Sequence, residues 1–201
     1  NSAKGNSHYG VEVLGGINIA LDDNTLDGNQ MGVVVRRGAE NVTISGNVLR
    51  NQNREGISVR DGVKAVTVSS NTVQGAATGI YVRDSSAHVS GNTVSGASLH
   101  GVTMIGTNTG SVVEDNIVGG EGASPIDTGR AHSTVSVGYN ATGGWFDTTS
   151  TWTRVKALIS PLTIVWICVI SLLLFTSLKG YRARHRSAAK GLPGIDALGT
   201  H

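Results

Sequence analysis

Three arginines recur at a fixed spacing. Arg36, Arg60 and Arg83 each stand four residues after a glycine (Gly32, Gly56, Gly79), and Arg37, Asp61 and Asp84 follow them. A row of guanidinium groups suits bidentate capture of carboxylates or sulfates. The competing reading is a solvated strand edge on which Arg60 and Arg83 pair with Asp61 and Asp84. Two exposed like charges about 5 Å apart in water repel by only about 0.8 kcal/mol, so a fold can hold such a row without a ligand. Tyr81 is the aromatic residue of the middle repeats and a candidate platform for a sugar ring.

The carboxylates give a weaker signal. Asp22-Asp23 and Glu114-Asp115 occupy the same place in repeats four periods apart, about 19 Å at the spacing of adjacent strands. A glycosidase pair must lie within roughly 5–10 Å. Asp61 and Asp84, one period apart, are close enough. His8, His88, His100 and His132 fall at unrelated positions, so neither a metal site nor a cofactor is expected. The single cysteine, Cys168, excludes an intramolecular disulfide or a cysteine zinc cluster. No catalytic residue is identified.

The elements that would carry these groups are visible as a repeat. Gly32, Gly56, Gly79 and Gly101 recur every 22 to 24 residues, and Asn24, Asn47, Asn71, Asn92, Asn116 and Asn140 keep step with them. A fixed period in the twenties marks a solenoid, in which each repeat buries its apolar face on the next. After each glycine the apolar residues alternate with period two, as in Gly-Ile-Ser-Val-Arg (56–60) and Gly-Ile-Tyr-Val-Arg (79–83). A second alternating stretch places Val42/Ile44, Val66/Val68 and Val89 inward. A third inward position, two residues after each asparagine, holds Leu26, Leu49, Val73, Val94 and Val118. Three short strands per period describe a parallel β-helix of about six coils of 21–24 residues. The glycines and asparagines are expected to hold its turns, with the asparagines a structural ladder that satisfies buried polar groups.

These columns, over residues 10–140, resemble the right-handed parallel β-helix repeat family, the pectate-lyase-like solenoids with the NosD-type repeat region. The resemblance implies right-handed coiling. It also implies a class that includes polysaccharide lyases, hydrolases and epimerases beside surface proteins without activity. In lyases of this fold a basic side chain on the exposed sheet abstracts the proton α to a uronate carboxylate. The signature of the alginate epimerases is missing.

Residues 157–178 contain no charged side chain. A helix of that length reaches roughly 33 Å, enough to cross a hydrocarbon core of about 30 Å. The run Lys179–Arg186 is basic, whereas residues 1–156 hold 13 acids against 11 Lys and Arg. The positive-inside rule puts the tail in the cytoplasm, and the net-negative repeat region gives no support for nucleic-acid binding. An outside solenoid needs an export signal, so the chain is expected to be the C-terminal part of a longer protein; a tail-anchored cytoplasmic solenoid is the competing topology.

The expected organisation is an all-β right-handed parallel β-helix over 1–140 and a cap and juxtamembrane linker over 141–156, with Trp145, Phe146 and Trp152. A transmembrane helix over 157–178 and a basic tail over 179–201 complete it. The expected protein is a single-pass cell-membrane protein whose partners are the lipid bilayer and a polysaccharide. Ligand contacts fall to Arg36, Arg60, Arg83, Asp61, Asp84 and Tyr81. Two alternatives stand: a polysaccharide lyase or uronate epimerase with its catalytic residues upstream, and a non-catalytic adhesive stalk.

Overall fold

A computed structural model describes residues 1–149 and 165–176. Two units are distinguished, Asn1–Thr149 and Ser150–His201. In the first, nineteen short strands form three parallel sheets of seven, six and six strands. Every coil contributes one strand to each sheet, and within each sheet the strands follow chain order. Sheet I holds Tyr9–Leu14, Met31–Arg36, Glu55–Arg60, Thr78–Arg83, His100–Gly106 and Ser124–Ala131. Sheet II holds Ile17–Asp22, Glu40–Ser45, Lys64–Ser69, Ala87–Ser90, Val112–Glu114 and Ser136–Val137. Sheet III runs from Ser2–Lys4 to Ala141–Asp147.

Period-two alternation decides what each strand buries. Sheet I turns Val33/Val35, Ile57/Val59, Ile80/Val82 and Val102/Met104 inward, sheet II turns Val42/Ile44 and Val66/Val68, and sheet III turns Leu26, Leu49, Val73, Val94 and Val118. All lie in one core cluster and none is more than 2 % exposed. Register stacks like on like: Val33 beside Ile57, Ile57 beside Ile80, Ile80 beside Val102. A slip of one residue would turn these columns out to water, so the burial itself holds the register.

Gly32, Gly56, Gly79 and Gly101 do not hold turns, contrary to the sequence-based expectation. None has a left-handed φ. An added Cβ would instead lie 2.4 Å from Leu49, 2.4 Å from Val73, 2.5 Å from Val94 and 2.1 Å from Val118, respectively. The column exists because the core side chains of sheet III press against the backbone of sheet I. The left-handed turns belong to other residues, among them Gly28, Gly75 and Gly96 (φ 64, 69 and 62°) and Arg37, Asp61 and Asp84 (φ 61, 66 and 47°).

The asparagines form a continuous ladder. Asn24 Nδ2 donates to Asn47 Oδ1, Asn47 to Asn71, Asn71 to Asn92, Asn92 to Asn116 and Asn116 to Asn140, each at 2.9–3.0 Å. Asn1 extends it downward with a 3.2 Å bond to Asn24. A second ladder, Asn6, Asn29 and Gln52, runs along another corner. The solenoid also continues past Asn140. Ala141–Asp147, expected as the start of a cap, is the last strand of sheet III, and Trp145 packs against the core.

Residues 165–176 form a helix whose side chains are all exposed. It is about 18 Å long, and among the described residues no helix is long and apolar enough to cross a membrane. Residues 157–164 and 177–178 of the expected span, Trp152 with the linker from residue 150, and the tail 179–201 lie outside the described residues.

Candidate polar face on sheet I

The residue before each column glycine breaks the alternation. Because the glycine turns its would-be Cβ toward the core, its predecessor faces out, which places Glu55, Thr78 and His100 on the outer face of sheet I. Beside them runs a middle column of Glu12, Val34, Ser58, Tyr81, Thr103 and Asp127. The third column is Leu14, Arg36, Arg60, Arg83, Ile105 and Arg130, with Arg60 directly paired to Arg83. The three expected arginines therefore share one face with Tyr81, which is half-buried between Ser58 and Thr103.

Their surroundings differ. Arg36 donates from Nε to Glu12 Oε1 at 2.8 Å, and its guanidinium carbon lies 5.8 Å from the centre of the Tyr9 ring. Arg83 donates to Asp61 Oδ1 at 2.9 Å, a bond to the coil below that raises its pKa above the ordinary value. Arg60 makes no ion pair among the described residues.

Of the two expected pairs, Arg83 with Asp84 is present at 3.8 Å, while Asp61 pairs across the coils with Arg83 at 2.9 Å instead of with Arg60. The left-handed φ at Asp61 and Asp84 takes both carboxylates out of the strand row and into the turn. There Asp84 Oδ1 accepts the Thr107 N–H at 3.0 Å, while its other oxygen lies 3.8 Å from Arg83 Nε. Both carboxylates are engaged in holding turns and neighbouring coils together.

Sequence reasoning missed the upper end of the face. His100, only 8 % exposed, brings Nε2 to 3.8 Å from Asp127 Oδ2, and Arg130 holds that carboxylate with bonds of 2.8 and 3.1 Å. A bulge after Thr103 pairs Arg130 with Ile105, so counting residues from the preceding glycine does not reach it. Only the apolar Ile126 beside Val102 betrayed the strand in the sequence.

Polar atoms on this face lack partners. Glu55 Oε2, Ser58 Oγ, Arg60 Nε, Arg83 Nε, His100 Nδ1 and Thr103 Oγ1 are buried without a hydrogen bond; among the described residues only Asn108 Oδ1 and Trp145 Nε1 are in the same state elsewhere. Each such atom costs about 1–3 kcal/mol, and six of the eight lie on sheet I. Among the described residues no group of three or more His, Cys, Asp or Glu could hold a metal ion.

A family model described as right handed beta helix region matches residues 1–118. No curated protein and no solved structure matches the chain.

Proposed function

The chain belongs to the right-handed beta helix family, and from that premise we propose a membrane-anchored, extracytoplasmic protein that binds polysaccharide, anionic chains above all, on the outer face of sheet I. The observation that carries this reading is the cluster of unpartnered polar atoms on that face. Sugar hydroxyls both donate and accept, so one glycan can satisfy carboxylate, hydroxyl and guanidinium together. Arg60, which makes no ion pair among the described residues, is the natural seat for an acidic group, and Tyr81 offers an apolar edge beside it. Parallel columns at strand spacing also suit an extended, repeating ligand.

Binding of polygalacturonate by the full chain in detergent tests this. A charge-assisted bond is worth about 1.5–3 kcal/mol, so R36A/R60A/R83A is expected to weaken binding by at least about tenfold. Unchanged affinity would remove the arginine column as the contact.

The anchor reading rests on the charge-free run 157–178 and the basic residues after it. The described helix turns Val165, Trp166, Ile170, Leu173 and Phe175 to the exterior, as a lipid-facing segment would. Carbonate extraction of membranes is expected to leave the chain in the pellet, with residues 1–149 open to external protease. Release into the wash would end the anchor reading.

A further inference from the structure

Two opposite charges sit on one strand of this face without neutralising each other. Glu55 and Arg60 stand at the two ends of Glu55–Arg60 with Ser58 between them, about 16 Å apart along the strand. Glu55 is deeply set, its side chain 11 % exposed. One of its oxygens accepts a 3.3 Å hydrogen bond in an ion pair with the more exposed Arg54, and the other is buried with no partner. Among the described residues Arg60 makes no ion pair, and its Nε is buried without a hydrogen bond, as is that of Arg83 beside it. Above the strand, Thr78 stands beside Glu55 and Tyr81 beside Ser58.

A shielded charge needs an opposite charge or strong hydrogen bonds. A polyuronate would satisfy Arg60 and Arg83 but bring its like charge toward Glu55. A neutral glycan would hydrogen-bond both ends but bring no opposite charge to either. Building on the polysaccharide-binding reading, we propose that the face recognises a zwitterionic glycan, in which sugars with a free ammonium group alternate with sugars carrying a carboxylate or sulfate. The ammonium docks on Glu55, the acidic group on Arg60 and Arg83, and the intervening hydroxyls on Tyr81, which stands beside the buried Ser58. The ligand then lies along the coil, parallel to the strand, and the spacing of Glu55 from Arg60 selects the spacing of the ligand's charges.

The test titrates the full chain in detergent with four probes. They are an oligosaccharide alternating glucuronate with unacetylated glucosamine, its N-acetylated counterpart, oligogalacturonate and chitosan oligosaccharide. The free-amine zwitterion is expected to bind at least about tenfold tighter than its acetylated form. Glu55→Gln should erase that preference while sparing the acetylated form, and Arg60→Gln should weaken both. Equal binding of the free-amine and acetylated forms by the unmodified chain overturns zwitterion recognition and leaves polysaccharide binding standing, as does tightest binding of oligogalacturonate or chitosan, or a Glu55→Gln chain that keeps the preference. If no probe binds, both readings fall. The central comparison uses the unmodified chain and does not depend on how the variants fold.

Discussion

Gly101→Ala is expected to destabilise the solenoid by about 3 kcal/mol, the upper end of the usual cost of overpacking a core. The added Cβ would stand 2.1 Å from Val118 Cγ1 and 2.5 Å from the Pro125 carbonyl oxygen. Val118 is 1 % exposed within the core cluster, and the carbonyl belongs to the backbone of the next coil. Gly143→Ala is the control: nothing lies within 4 Å of its would-be Cβ, so its effect should stay within about 0.5 kcal/mol. Urea unfolding followed by far-ultraviolet circular dichroism separates the two. Val118→Ala in the Gly101→Ala background should recover part of the loss, because it removes the closer clash and leaves the carbonyl. Equal midpoints for Gly101→Ala and Gly143→Ala would refute the close-approach account of the glycine column.

Asn71→Ala is the second large effect, about 3–5 kcal/mol for the loss of several buried hydrogen bonds. The Asn71 amide donates to the carbonyls of Ile44 and Ser69 at 2.8 and 3.0 Å and to Asn92 Oδ1 at 3.0 Å. Its Oδ1 accepts both the backbone N–H and the side-chain amide of Asn47. Asn71 is 1 % exposed, so water cannot replace what is lost. Asn140, half-buried at the last rung, should cost only about 1 kcal/mol because solvent takes over its partners. A gradient in unfolding midpoint from Asn71 to Asn140 is the expected pattern. Equal costs at both positions would mean that the ladder does not act through burial.

The Gly and Asn periods made the coil count and the inward columns legible, because a solenoid repeats the same local environment and the chain repeats its answer. Val33/Val35 and Ile57/Val59 announced sheet I through period two alone. The task of the glycines was not legible. A glycine needed for a turn and one needed for close approach look alike in sequence, and only the position of Leu49, Val73, Val94 and Val118 separates them. Glu55 was missed for the same reason: its outward direction depends on the break in alternation at Gly56. His100, Asp127 and Arg130 were hidden by a bulge that moves Arg130 into the arginine column.

By itself the sequence determined the strands, their stacking and the shared spacing of Arg36, Arg60 and Arg83, since these follow from local periodicity and the need to bury apolar faces. Tertiary structure decided which of those arginines is free. Glu12 takes Arg36 and Asp61 takes Arg83 from neighbouring coils, while Arg60 makes no ion pair among the described residues and Glu55, at the other end of its strand, pairs only with the adjacent Arg54. Pairing between coils depends on side-chain reach and turn geometry, which carry no period of their own.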